Sequence, residues 1–262
     1  MANEDITIES STGRRGEVRL SCSSYGISDI GCKRLHNEDS YLSSNSKGIW
    51  AVADGMGGHD AGDLASQTLV HNLDRIVVPE TLDDCVDLIE RSIQDTNRQL
   101  NDIAAETDSI TTIGTTVAMM AARGNDGMVM WAGDSRVYRI RNNTLEQVSR
   151  DHSVVNDLLE KGLIEAHQAE GHPDSNKITR SVGITDDLDI ERRTVSILAG
   201  DRYLICSDGL TREINDEQLA MIASPEVNRK SADSARALIK SALDAGTRDN
   251  VTVVVIDFKE AS

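Results

Sequence analysis

The sequence predicts a layered α/β fold built on antiparallel sheets, and two observations carry that expectation. In "GTTVAMMAARGNDGMVMWAGDSRVYRIRNNTLEQVS" (114–149), turn signals at Asn125-Asp126-Gly127 and Asn142-Asn143 separate runs of strand length. Direct hairpin connections of this kind imply antiparallel pairing. Ahead of them, two long amphipathic helical patterns follow one another, an arrangement that argues against a doubly wound parallel sheet.

Taken in order, residues 1–16 are polar and read as a loose tail. "GIWAVAD" is a strand-length apolar run ending at Asp54. Between Asp60 and Val78 the apolar positions Leu64, Ala65, Leu69, Leu73, Ile76 and Val77 recur at helical spacing, with Asp60 placed to cap the first turn. Thr81-x-x-Asp84 resembles a capping box for a second helix, whose period continues through Leu82, Cys85, Ile89, Ile93, Leu100 and Ile103. After the hairpins, 149–183 is partly helical and rich in His, Asn and Gly, the makeup of a flap or lid. Further strands are expected at Glu191–Leu198, Arg202–Cys206 and Val251–Phe258, and helices at Asp216–Ala223 and Ser231–Ala245. With 262 residues and no linker composition, one catalytic-size domain over 17–262 is expected behind the tail.

Composition narrows the function classes. An apolar content of 39% supports a sizeable core, which Val, Ile, Leu, Ala and Met must fill because Trp, Tyr and Phe together make up only 3%. The net charge of −17 repels nucleic-acid phosphates and anionic membranes, and no local basic patch offsets it. Cys22, Cys32, Cys85 and Cys206 form no C-x-x-C pair, which fits a reducing compartment. The N-terminal stretch lacks the apolar run of a signal peptide, and no segment approaches the roughly 18–20 apolar residues that span a bilayer. A cytoplasmic protein without nucleic-acid or membrane partners is expected.

Acids recur at strand ends. "GIWAVAD" ends at Asp54, "MVMWAGD" at Asp134 and "RYLICSD" at Asp208, while Asp249 immediately precedes "NVTVVVI". Such strands deliver carboxylates to the edge of a core, where the backbone is fixed and the side chain partly desolvated. Several acids converging on one point would repel one another unless hard divalent cations such as Mg²⁺ or Mn²⁺, which prefer oxygen ligands, sat between them. Asp-Gly is also an ordinary turn pair, so spacing alone leaves metal site and turn chemistry both open.

The order of short motifs decides between them. "RLHNEDS" (34–40), "DGMGG" (54–58), "GTT" (114–116), "GDSR" (133–136), "DHS" (151–153), "HPDSNKITRSVG" (172–183), "SDGL" (207–210) and "RDNVTVVVI" (248–256) together resemble the metal-dependent protein serine/threonine phosphatases of the PPM, or type 2C, family, in bacterial-like form. The resemblance spans about residues 20–258. It implies an αββα arrangement, two antiparallel sheets sandwiched between helical layers, with a mobile flap at about 149–183. It implies hydrolysis of phosphoserine and phosphothreonine on proteins in signalling, opposing a serine/threonine kinase, by a monomeric enzyme.

By the same resemblance Asp54 bridges two Mn²⁺ or Mg²⁺ ions and the carbonyl of Gly55 binds one of them. Asp208 and Asp249 complete the first ion's shell, Glu38 or Asp39 faces the second ion directly or through water, and Asp134 helps hold a third, weaker ion with Asp208. Arg34 occupies the family position for a phosphate-binding guanidinium. Asp54, Asp208 and Arg34 are thereby the implied catalytic residues. Some relatives carry a histidine after the Asp-Gly pair as proton donor, where this chain has Met56, which cannot protonate a leaving group. His59 is the nearby candidate for that role, while His152 and His172 read as structural.

Two rivals remain in view. Cys206-x-x-Gly209-x-x-Arg212 matches the spacing of cysteine-dependent phosphatases, but Asp208 would put a carboxylate inside the phosphate cradle, and Ile205 precedes the cysteine. A catalytically idle phosphoprotein-binding module of the same fold would be expected to lack a metal ligand, and every expected acid is present. The glycines at 55–62 fail the G-x-G-x-x-G pattern, since Asp60 takes the last position.

Overall fold

Strand alternation sorts this chain into layers. The computed structural model describes residues 6–8, 19–57, 61–106, 112–169, 172–174 and 177–261. In chain order these form β1 (Ile6–Ile8), β2 (Leu20–Asp29), β3 (Asp39–Ser44), β4 (Ile49–Gly57), α1 (Ala61–Asp74) and α2 (Leu82–Glu106). Then come β5 (Ile113–Thr115), β6 (Val117–Arg123), β7 (Asp126–Ala132), β8 (Arg136–Arg141), β9 (Thr144–Gln147), α3 (Val154–Glu160) and α4 (Ala166–Ala169). The chain closes with β10 (Glu191–Ser196), β11 (Arg202–Cys206), α5 (Asp208–Thr211), α6 (Asp216–Ala223), α7 (Ser231–Ala245) and β12 (Val251–Glu260).

Among the described residues the strands make two sheets, ordered β1-β2-β12-β11-β8-β9 and β10-β7-β6-β4-β3, with β5 paired to the end of β4. Every strand pair is antiparallel. In β4, Trp50 and Val52 face the other sheet, while Ile49, Ala51 and Ala53 pack under α1 and α2. In β12, Val254, Ile256 and Phe258 face inward, while Val251, Val253 and Val255 lie under the helices α5 to α7. This two-residue period, with both faces apolar, needs a helical layer outside each sheet. The αββα arrangement follows. Between the sheets, Phe258 meets Trp50 and Tyr203 edge to face, with both pairs of ring centroids 5.9 Å apart.

Local chemistry sets the element ends. Asn142 and Asn143 adopt φ of 51° and 60°, the left-handed pair that a two-residue hairpin between β8 and β9 requires. The other hairpin sits one residue earlier than the sequence suggests. Gly124 takes the positive φ of 55°, and Asp126 and Gly127 already pair with β10. Thr81 Oγ1 caps α2 by accepting from the Asp84 amide at 3.2 Å. Helix α1 stops at Asp74, short of the expected Val78; Lys47 Nζ binds both the carbonyl and the carboxylate of Asp74 and satisfies that end. Asp60, its expected cap, lies outside the described residues. Within the stretch expected as a tail, Ile6–Ile8 instead adds an edge strand to β2, as the β-branched triplet Ile-Thr-Ile favours. No described helix is long and apolar enough to cross a membrane.

Candidate active site

The alternation that fills the core also aims the acids. After Trp50 and Val52, the next inward-facing position on β4 is Asp54, and the residue directly opposite on β3 is Asp39. Two carboxylates at one antiparallel pair lie close enough to repel. Burial pushes Asp54 well above the usual carboxylate range, with Asp39, Asp208, Asp134 and Asp249 adding to it. Burial likewise raises Asp39 to about 7, against the pull of hydroxyls from Thr252 and Ser207, which donate to its Oδ2 at 2.7 and 2.8 Å. Its Oδ1 is buried without a partner.

Three other segments bring in the rest. Asp134 follows β7 after Gly133, whose φ is 123° and whose added Cβ would stand 2.6 Å from the side chain of Thr116. Burial lifts Asp134 to about 7, with Asp208 contributing. Asp208 opens α5; burial raises it to about 6 against the lowering effect of Arg212, and its Oδ1 too is buried without a partner. Asp249, ahead of β12, accepts from Arg34 Nε and Nη2 at 2.8 and 2.9 Å. Glu38 lines the cleft, its carboxyl raised by burial and lowered by Arg34.

A cleft of about 370 Å³ is lined by Arg34, Glu38, Asp54, Gly55, Asp134, Asp208 and Asp249, with Met56, Thr116, Ile178 and Arg212 alongside. Asp39 stands behind the cleft wall. His59 lies outside the described residues. His152 is buried away from the cleft lining: its Nδ1 accepts from the Gly133 amide, so its Nε2–H donates to Glu191 at 2.9 Å. Burial lowers its pKa, and the neutral ring acts as a brace, as its reading as structural expects. His172 Nδ1 accepts from the Asp174 amide at 3.1 Å, again a local turn contact.

Close backbone packing requires the glycine after Asp54. A Cβ there would stand 2.1 Å from the carbonyl of Gly62 and 2.5 Å from that of Glu38, and a Cβ on Gly62 would meet the Glu38 carboxylate at 2.6 Å. The first turn of α1 thus lies directly on the Asp54–Gly55 backbone, with Glu38 held against both.

Several contributors escape sequence reading. Asn250 donates to the carbonyls of Ile30 and His36, both at 3.0 Å, and accepts from the Glu38 amide at 2.8 Å. It thereby staples the loop carrying Arg34 and Glu38 to the start of β12. Thr116 Oγ1 accepts from the Asp54 amide at 3.0 Å and pairs with Ser135 Oγ at 2.7 Å, joining the Asp54 and Asp134 segments. Arg212 bonds Asp208 and reaches Asp249 at 3.4 Å. The sequence shows Arg212 only within the rival cysteine-loop spacing and as a cation four residues after an acid.

Among the described residues no three acid, histidine or cysteine side chains already stand as a ready ligand set, and the guanidinium groups of Arg34 and Arg212 hold Asp249 and Asp208. The donor set nevertheless fits divalent cations. All its atoms are oxygens, two of them are buried and orphaned, and the acids raise one another's pKa. Asp39, Asp134 and Asp208 bind protons more tightly folded than unfolded. The metal-free fold is therefore favoured at low pH, and this advantage is lost as pH rises from about 4 through about 7. In EDTA the melting temperature is expected to fall across that window, and saturating Mn²⁺ is expected to flatten the fall; a pH-independent melt in EDTA would contradict the assignment.

The cysteine rival loses its footing. Cys206 is fully buried among Leu204, Leu210 and Leu238 on the helical side of β11, and burial pushes its thiol up to about 12. Cys206→Ala is expected to leave kcat/KM within about threefold of the parent; turnover abolished in a folded, metal-loaded variant would move the chemistry to sulfur.

Known proteins share this sequence pattern and fold. The family model for Protein phosphatase 2C matches residues 19–251. Protein phosphatase PhpP of Streptococcus pneumoniae is 32% identical over 240 residues, covering 89% of this chain and 96% of that protein. The crystal structure of the Mycobacterium tuberculosis serine/threonine phosphatase PstP/Ppp superposes with a TM-score of 0.83 at 33% identity, over 91% of this chain and 99% of that one. A structure of the PstP catalytic domain in complex with two manganese ions superposes at 0.80 with 32% identity, covering 92% of this chain and 99% of that one. A match over nearly the whole sandwich, with the acids of the shared motifs gathered in one cleft, makes this chain a member of the protein phosphatase 2C family.

Proposed function

We propose that the chain hydrolyses phosphoserine and phosphothreonine on proteins with the help of two Mn²⁺ or Mg²⁺ ions. The observation that carries this reading is the convergence of Glu38, Asp54, Asp134, Asp208 and Asp249 on one cleft, backed by the buried, orphaned oxygens of Asp39 and Asp208. Asp54, the Gly55 carbonyl, Asp208, Asp249 and Glu38 would hold the two ions, with Asp39 supporting from behind. Asp134 and Asp208 would share a third, weaker ion. When bound, such ions lower the pKa of water to make a nucleophile and neutralise the phosphoryl oxygens.

The chain's own groups supply position and charge. Arg34 is half exposed at the rim, and its planar fork is suited to two of the three non-bridging oxygens of a phosphate monoester. Thr116 and Asn250 lock the backbones of Asp54 and Glu38, so the acids need not reorganise during the reaction. Met56 lines the cleft beside Gly55 and offers no proton. This leaves leaving-group protonation to solvent or to His59.

The reading extends to phosphorylated protein substrates opposed by a serine/threonine kinase, acted on by a cytoplasmic monomer. The test is turnover of a phosphopeptide and an aryl phosphate by the EDTA-stripped protein before and after Mn²⁺ or Mg²⁺ is added. Activity is expected only with the cation, and substantial turnover in metal-free buffer would overturn the mechanism.

A further inference from the structure

We infer that Arg212 is a built-in counter-ion of the site, holding Asp208 and Asp249 in the metal-free protein and competing with the cation for them. The inference rests on the metal-dependent reading above and adds a regulator of metal loading to it.

The geometry is that of one helical turn. Arg212 ends α5, its amide donating to the Asp208 carbonyl at 2.9 Å, so its side chain lies over that of Asp208. Its guanidinium pairs with Asp208 Oδ2 and reaches Asp249 Oδ2 at 3.4 Å. Arg34 takes both oxygens of Asp249 from the other side. Between them the two arginines engage every oxygen of this acid pair except Asp208 Oδ1, which is buried and unpartnered.

A guanidinium on those oxygens repels a divalent cation that approaches them, since they are like charges a few ångströms apart in a partly desolvated cleft. The Arg212 side chain is 39% exposed, so it can swing into solvent when displaced. Filling the site therefore works against its two carboxylate contacts. The metal-free fold keeps a partner for Asp208, and the cation binds less tightly than the carboxylates alone would allow.

The test compares the parent with Arg212→Gln, both stripped with EDTA and dialysed. Isothermal titration with MnCl₂ is expected to show about five- to tenfold tighter Mn²⁺ binding by the variant. Its melting temperature is expected to drop in EDTA and to equal or exceed the parent's in saturating Mn²⁺. A purely structural arginine would lower both melts alike. Equal or weaker Mn²⁺ affinity in the variant, or an equal loss of melting temperature in both conditions, would overturn the inference. Absence of saturable Mn²⁺ binding to either protein would instead overturn the metal reading beneath it.

Discussion

Asp54→Asn is expected to abolish metal-dependent turnover and at the same time to raise the melting temperature of the metal-free protein. The activity loss should reach about 10³-fold or more in kcat/KM, equivalent to about 4 kcal/mol of transition-state stabilisation. Asp54 is the carboxylate on which the others converge, and an amide offers one weak neutral oxygen in its place. The gain in stability comes from the same fact. Asp54 stands half-buried opposite Asp39, and its charged form is disfavoured first by desolvation and then by four other acids. An amide carries no charge and adds donors beside the unpartnered Asp39 Oδ1, which should stabilise the metal-free fold by about 1–3 kcal/mol near neutral pH. Steady-state kinetics in Mn²⁺ and thermal melts in EDTA check both halves. More than about a tenth of parental activity, or a lower melting temperature in EDTA, would contradict the account.

The second large effect is expected from Gly55→Ala, where one methyl group should cost both fold and function. Gly55 lies in β4, in a conformation open to any residue, so the penalty is steric. The new Cβ would stand 2.1 Å from the Gly62 carbonyl and 2.5 Å from that of Glu38. Both obstacles are backbone, one from the first turn of α1 and one from the segment leading into β3, and neither can rotate aside. Relief requires α1 or the Glu38 loop to move away from Asp54, at a cost of about 3 kcal/mol, the upper part of the overpacking range. Because the Gly55 amide is bonded to Glu38 at 3.1 Å, the same movement takes Glu38 from the cleft. Chemical denaturation and the Mn²⁺ concentration giving half-maximal activity should both shift. A variant with parental stability would show that α1 is not seated on this backbone.

Much of this was legible in the sequence where the signal was local. Arg202–Cys206, Asp216–Ala223 and Ser231–Ala245 match expectation at both ends, because apolar period and turn chemistry agree there. The Asn142-Asn143 turn announces itself because two successive left-handed residues admit few other side chains. The Asn125-Asp126-Gly127 signal was misleading by a residue, since Gly124 takes the left-handed role and β10 recruits Asp126 and Gly127 into its ladder. Strand-end acids gave most of the cleft, but not its supports. Ser207 and Thr252 reach Asp39 from 168 and 213 residues away, and Asn250 reaches His36 across 214. Such hydroxyl and amide contacts leave no local periodicity. Only the stacking of one sheet on the other, which sets β12 and the end of β11 against β3, brings Ser207 and Thr252 to Asp39. The different placement of Glu38 and Asp39 has the same origin: Glu38 lines the cleft from just before β3, and Asp39 opens that strand opposite Asp54.

The inward parity of Trp50, Val52 and Asp54 has a genetic consequence. A single-codon deletion within this strand would not simply misplace a carboxylate; it would exchange the two faces of everything beyond it, driving Asp54 into the apolar layer beneath α1 and the Ala53 methyl toward the acids. Reading frames that lose two codons keep parity and shorten the strand by a pleat, whereas those that lose one should yield no soluble protein at all. Screening in-frame deletions across this strand would therefore recover odd losses as null alleles without detectable polypeptide, while missense changes at Asp54 would accumulate as stable, inert protein.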